Sequence, residues 1–389
     1  MFNFQPSPLP LQTTQTNLQS DVIHFGTGQP GMDILPLDIM REAAAHRLAI
    51  DDTAYLNYGK IGGGEHFHHA LAQFLTDTVG TNTTRESLFI TGGNSQALDL
   101  ICTVFTDYGD TVFVEEPTYF LALQIFADHG LNVVGIPMDE EGLRIDVLEE
   151  KLAEHRPKLI YTIPAFHNPT SVNLSAERRQ QLIKLSQTHN FLIAADEVYQ
   201  LLYYGDPPPA PFSAFIDSGT ILSMGTFSKI MAPGLRLGWI ETSAELRKKL
   251  LRVGFGWSGG SLNHFTSGIV RSAIELGLQH QYLHKLRTLF RHRIEVMDAA
   301  IQAHFPAEIR YQKPTGGYFF WLELPEHINA DAIRLRAISQ KVGFHAGPSF
   351  SSEQGLQNYF RLAFSFYSDD VIQAGIEQLG HIFSTELAR

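Results

Sequence analysis

The segment KLIYTIPAFHNPTSVNLSAERRQQLIKLSQTHNFLIAAD (158–196) decides the fold class. KLIYTIP (158–164) and FLIAAD (191–196) are apolar throughout rather than alternating, the pattern of strands covered on both faces. Between them Ser175 can cap a helix over AERRQQLIKLSQTHN (176–190). Strand, helix and second buried strand in this order predict an α/β protein with a mostly parallel sheet flanked by helices. The unit recurs on either side. SLFIT (87–91) is strand-like and feeds the helical spacing of NSQALDLICTVF (94–105). TVFVEEP (111–117) is a strand ending in a proline turn, and TYFLALQIFADHG (118–130) predicts a helix that Gly130 closes. TILSMGTF (220–227) is a further strand.

The last hundred residues differ. RYQKPTGGYFFWLELP (310–325) has strands about a Gly-Gly turn, and VGFHAGPSF (342–350) and YFRLAFSF (359–366) are short strands in a helical setting. We expect a large domain over 46–285 and a smaller α+β domain formed by 286–389 together with an N-terminal arm, 1–45.

Composition removes several function classes. The 389 residues suggest about two or three domains. With 44% hydrophobic and 18% charged residues, the chain has the makings of a packed core. Lys plus Arg number 29 against 41 Asp plus Glu, a net charge of −12, which argues against nucleic-acid and anionic-membrane partners. A single cysteine, Cys102, excludes an internal disulfide and a multi-cysteine zinc site, and suits a reducing compartment. The first basic residue is Arg41, so residues 1–20 have the makings of neither a signal peptide nor a transit peptide. No apolar stretch approaches the roughly 20 residues that span a bilayer. The expectation is a cytoplasmic protein acting on small molecules.

In an open α/β sheet, ligands bind beyond the carboxyl ends of the strands. Four such ends carry chemistry here. Asp196 closes FLIAAD, with Tyr199 three residues on; Asn168 lies in AFHNPTS (165–171); Lys229 lies in FSKIMAPGLRLGW (227–239). Gly92, Gly93, Asn94 and Ser95 join a strand to its helix.

These segments resemble the class I/II aminotransferase family, pyridoxal-phosphate (PLP) enzymes of fold type I. FSKIMAPGLRLGW resembles the family's Schiff-base motif, and HNPT and DEVY agree in order and spacing: Asn168 to Asp196 is 28 residues, Asp196 to Lys229 is 33. The likeness runs from about Gly26 to about Phe366. It implies a large PLP-binding domain and a ping-pong transfer of an amino group between an L-amino acid and a 2-oxo acid. Lys229 would hold the cofactor and, once freed by substrate, act as general base. Asp196 would keep the pyridine nitrogen protonated, because opposite charge favours the cation. Tyr199 and Asn168 would bond the cofactor's O3′, and Tyr119 would stack on its ring. Gly93, Asn94, Ser95, Thr226, Ser228 and Arg236 would hold the phosphate, with helix-start N–H groups and a guanidinium as the donors. Arg361, among apolar neighbours in YFRLAFSF, would grip the substrate α-carboxylate, with Gly28 and Asn168 beside it. Tyr58 would reach the phosphate of a second subunit, which implies a homodimer.

The chain also departs from the family pattern. His167 stands where Gln is common, Ser171 where Gly is common, and Thr226 where Ser is usual. Each adjoins a binding residue, so substrate range or cofactor geometry is open to change. Three further signals are set aside. GTGQPG (26–31) matches a dinucleotide fingerprint in form, but Pro30 and the residues after it deny it the helix it needs. The histidines of EHFHHA (65–70) include the pair His66 and His69 at zinc-like spacing, but a solvated helix face explains them. Lys248, Lys249 and Arg252 form a basic run of the kind found on helix surfaces.

Two rivals use the same residues. One is a PLP-dependent lyase or decarboxylase, which needs no 2-oxo acceptor. The other is a non-catalytic PLP-sensing domain of a transcription regulator; the lack of a basic segment before Arg41 and the presence of Arg361 argue against it. A side-chain carboxylate in the substrate would need a second cation. The N-terminal arm offers Phe2, Phe4, Leu9 and Leu11 instead, and the central region adds Phe255 and Trp257. This predicts a preference for neutral apolar or aromatic amino acids, with Arg252 or a partner arginine as the alternative source of charge.

Overall fold

A computed structural model describes residues 21–388. Its centre is an eight-stranded sheet in the order Leu88–Thr91, Gly238–Thr242, Ile221–Thr226, Leu192–Asp196, Pro157–Thr162, Thr111–Glu116, Asn132–Asp139 and Gly142–Leu143. The five strands from Ile221–Thr226 to Asn132–Asp139 are mutually parallel. Gly238–Thr242 runs antiparallel to both its neighbours, and Gly142–Leu143 is antiparallel at the far edge.

The continuous apolar runs have a simple cause. Successive side chains point to opposite faces, and here both faces are covered. Val112, Val114, Leu159, Tyr161 and Ala194 pack on one side, into a core shared with Ala97, Leu98 and Ile101 of the helix Asn94–Phe105. Phe113, Ile160, Ile193 and Ala195 pack on the other, against Leu148 and Leu152 of the helix Ile145–Glu154 and Leu182 of the helix Ala176–His189. Ser175 caps that last helix, accepting a hydrogen bond from the Arg178 N–H, and the left-handed Asn190 ends it.

The C-terminal region forms a four-stranded antiparallel sheet ordered Arg310–Tyr311, Phe319–Glu323, Tyr359–Ala363, His345–Ala346. The long helix Leu278–His304 and the helix Asp369–Leu387 pack on each other. Ile23–His24 pairs in parallel with Val342–Gly343, so the N-terminal segment crosses this region and delivers residues 26–28 toward the large sheet. The apolar arm residues Phe2, Phe4, Leu9 and Leu11 lie outside the described residues.

The sequence reading of the histidine cluster needs one correction. His66 and His69 are exposed on the helix Glu65–Val79, but His68 is buried and its Nε2 lies 2.9 Å from the Gly62 carbonyl. It staples the preceding loop to the helix. Lys248, Lys249 and Arg252 are exposed. Among the described residues no group of three or more acidic, histidine or cysteine side chains is placed to hold a metal, and no helix is long and apolar enough to cross a membrane.

Candidate active site

The strand ends converge as the alternation of side chains requires. Asp196 ends its strand on the same face as Ala194, which pairs with Tyr161 on the neighbouring strand. Its Oδ2 accepts a hydrogen bond from the Tyr161 hydroxyl at 2.9 Å, and its Oδ1 one from Asn94 Nδ2 at 2.5 Å. Burial pushes the Asp196 carboxyl above the usual carboxylate range, with both donors opposing. A buried carboxylate held by two donors is suited to a cationic partner, which would offset that desolvation. Tyr161 was not singled out from sequence; the available signal is a pair of hydroxyls, Tyr161 and Thr162, at the end of the strand Pro157–Thr162.

The helix after Gly93 starts beside Arg236. Gly93 has φ +99°, which disfavours any residue with a Cβ, and a Cβ there would sit 3.1 Å from Arg236 Nη2. The N–H groups of Asn94 and Ser95 belong to the first helical turn, where no intrahelical acceptor exists. Glycine backbone, free N–H groups and a guanidinium together form an anion site of phosphate type. Thr226 donates to Ser228 Oγ at 3.0 Å and accepts from the Ser228 N–H at 3.1 Å, which fixes the turn just before Lys229. Replacing the family's serine by Thr226 thus leaves a hydroxyl in this turn.

Lys229 follows the strand Ile221–Thr226 and points inward. Its Nζ donates to the Gly28 carbonyl at 2.6 Å and lies 5.4 Å from the centre of the Tyr318 ring. Burial pulls the amine down to about 8; Arg361 adds repulsion and Asp196 opposes it. A lysine becomes nucleophilic only when neutral, so uptake of PLP by cofactor-free protein should speed up as pH rises, with its midpoint near pH 8. The absorbance of the lysine-bound cofactor reports the rate. A midpoint near the ordinary lysine value of 10.5 would show that the amine is not depressed.

Arg361 is 2% exposed, on the strand Tyr359–Ala363. Nη1 donates to Asn168 Oδ1 at 2.6 Å and Nη2 to the Gly26 carbonyl at 2.7 Å; Nε has no partner among the described residues. The guanidinium carbon lies 4.0 Å from the Phe319 ring centre, 4.9 Å from that of Phe350 and 6.0 Å from that of Phe120. Burial lowers its pKa to about 10, so the group stays cationic at neutral pH. An unpaired donor on a cation walled by aromatic rings fits a carboxylate. Gly28 is required to be small here, since a Cβ would come within 2.8 Å of the Phe319 ring.

Tyr199 is buried, its ring 5.4 Å from that of Tyr318 and 5.9 Å from that of Phe319. Tyr119 is half-buried at the start of the helix Phe120–Asp128, and its phenol feels both Asp196 and Arg361. Ser95 contributes backbone position, its side chain being exposed. Tyr58 is 81% exposed. The Gly26 carbonyl and the rings of Phe120, Phe319 and Phe350 are additions that sequence reasoning missed. The donor set as a whole fits PLP: a buried acid, a glycine turn beside a guanidinium, a depressed lysine and a buried arginine with a free donor.

Comparison with known proteins agrees. The family model for aminotransferase class I and II matches residues 20–379. An aromatic-amino-acid aminotransferase of Thermococcus litoralis is 32% identical over 95% of this chain and 90% of its own length. The crystal structure of a multiple substrate aminotransferase from Thermococcus profundus superposes with a TM-score of 0.89 at 32% identity, covering 96% of this chain and 93% of that one. The α-aminoadipate aminotransferase of Thermus thermophilus, complexed with N-(5′-phosphopyridoxyl)-L-leucine, does so with a TM-score of 0.86 at 28% identity, covering 95% and 94%. On this match, spanning nearly all the described residues, the chain belongs to the class I and II aminotransferases, and its cofactor is pyridoxal 5′-phosphate.

Proposed function

We propose that the protein moves the amino group of neutral apolar or aromatic L-amino acids to a 2-oxo acid, and that the residues above carry the chemistry. The observation that carries this reading is the pairing of a depressed amine, Lys229, with a buried guanidinium that keeps a free donor, Arg361. The bound cofactor supplies an electron sink for the charge left when the substrate α-carbon loses its proton. Lys229 Nζ moves that proton. Asp196, oriented by Asn94 and Tyr161, would hold the proton on the pyridine nitrogen. Asn168 and Tyr199 would donate to O3′, and Tyr119 would cover the ring. The Gly93–Ser95 backbone, Thr226, Ser228 and Arg236 would fix the phosphate. Arg361 orients the α-carboxylate, with Gly28 leaving room for it.

The relative that acts on aromatic amino acids and the leucine adduct held by the Thermus thermophilus enzyme support the apolar preference. That enzyme's own name supports an acidic side chain instead, which makes the test direct. In a panel of half-reactions followed by loss of the aldehyde form of the cofactor, phenylalanine and leucine should react at least several-fold faster than glutamate and 2-aminoadipate. The reverse order would overturn the preference. Steady release of a 2-oxo acid without any acceptor would replace transamination by lyase chemistry.

We also infer a homodimer. Segments 54–60 and 259–265 pack together, with the Tyr55 and Phe265 rings 6.1 Å apart, and this surface exposes Leu56, Tyr58 and Phe265 near Trp257, itself 73% exposed. Apolar exposure on this scale marks an interface, and Tyr58 there is free to reach a partner's phosphate site. Sedimentation equilibrium should give twice the chain mass at micromolar concentration; a monomer would overturn the assignment.

A further inference from the structure

His167 is the departure from the family pattern that the proposed chemistry leaves unused, and the structure gives it an acidic partner. Both His167 and Glu115 are fully buried, and His167 Nε2 lies 3.1 Å from Glu115 Oε2. The approach is off the axis of an N–H on Nε2, so the contact is an electrostatic pairing and not an aligned hydrogen bond. At the other side of the ring, Nδ1 lies 3.0 Å from Thr170 Oγ1 and 3.4 Å from the Thr170 backbone nitrogen. A backbone N–H can only donate. Nδ1 is therefore the acceptor, and the ring proton sits on Nε2, the nitrogen nearer the carboxylate.

Glu115 is itself fixed. Its Oε1 accepts from Thr162 Oγ1 at 2.6 Å and its Oε2 from the Ile163 N–H at 2.8 Å. It belongs to the strand Thr111–Glu116, while Thr162 ends the adjacent strand Pro157–Thr162. Two rigid strand ends thus hold the carboxylate, the carboxylate faces the imidazole, and the imidazole braces Thr170 across the turn. Asn168 sits inside that turn, and its Oδ1 receives Arg361 Nη1 at 2.6 Å. Neither Glu115 nor His167 is bonded to Arg361, Lys229 or Asp196.

We propose that Glu115 and His167 form a buried positioning pair that sets the Asn168 carboxamide, and through it the aim of Arg361 at the substrate carboxylate. This rests on the reading of Arg361 as the carboxylate grip. A ligand contact displaced by about 1 Å through a remote change can cost up to about a hundredfold, so an effect near tenfold is expected here.

The test uses the holoenzyme and α-methylphenylalanine, which carries the carboxylate and amine but no α-hydrogen, so that binding is read from the cofactor absorbance without turnover. His167→Phe removes both ring nitrogens at similar size, and His167→Gln keeps a donor for Glu115. We expect about a tenfold larger dissociation constant for the analogue in His167→Phe, a change under threefold in His167→Gln, and in both a smaller loss of PLP affinity than of analogue affinity, because the phosphate site at Gly93 and Arg236 does not depend on Asn168. If His167→Phe fails to fold, Glu115→Gln carries the same expectation, since it keeps the shape and removes the charge. Unchanged analogue affinity with only a lowered Tm would make the pair structural and overturn the proposal. Wild-type protein that transaminates but ignores the α-carboxylate would instead remove the reading on which it rests.

Discussion

Replacing Lys229 with alanine should slow the amino-acid half-reaction by about 10³-fold or more, the scale of losing a positioned general base together with covalent attachment. Cofactor binding should suffer less. Asp196 keeps its two donors, and the Gly93 turn with Arg236 keeps the phosphate site, because neither depends on the lysine. The fold should hold as well. What the amine gives up is one hydrogen bond to the Gly28 carbonyl and a ring contact with Tyr318, and burial of a cation there already opposes charge. Hydride reduction of the wild-type holoenzyme should lock the cofactor onto the peptide containing Lys229 and leave Lys229→Ala unlabelled. Labelling of another lysine, or a variant with wild-type half-reaction rate, would sink the assignment.

How far the sequence foretold this site depended on which interactions are local. The strand ends were legible because a strand covered on both faces leaves an unbroken apolar run, and Asp196 and Lys229 stand out where those runs stop. Gly93 and the helix it starts were legible for a similar reason, since the turn and its cap lie within a few residues. Strand Gly238–Thr242 was missed because its place in the sheet rests on pairing with Leu88–Thr91, far back in the sequence, which no short window encodes. Tyr161 and the Gly26 carbonyl were missed for the same cause: each meets its partner only after strands far apart in sequence are side by side. His68 departs from the reading of its cluster as a solvated face because a hydrogen bond to the Gly62 carbonyl, 6 residues earlier, satisfies the ring where it is buried. His167 could be marked as unusual from sequence, but Glu115, 52 residues earlier, carries no local sign of being its partner.

Arg361→Leu is the variant that separates carboxylate recognition from everything else in the site. The side chain is buried among Phe120, Phe319 and Phe350, so leucine suits the rings but leaves Asn168 Oδ1 and the Gly26 carbonyl without a donor. Truncating one member of a buried, hydrogen-bonded charge pair costs roughly 2–5 kcal/mol, or about 30-fold to several thousand-fold in kcat/KM. The loss should fall on the amino acid and the 2-oxo acid alike, because both present the same carboxylate. Arg361→Lys should recover only part of it, since an ammonium is a point charge without the planar fork. A structural defect would also lower kcat/KM, so the decisive readout is a comparison of phenylalanine with 2-phenylethylamine, which lacks only the carboxylate. In the wild type the amino acid should be strongly preferred; in Arg361→Leu the two should approach equality, because the amine never used the guanidinium. If the preference for phenylalanine survives the substitution, the carboxylate is bound elsewhere. The aromatic rings around Arg361 would then be shielding a structural cation that ties Asn168 to the Gly26 carbonyl.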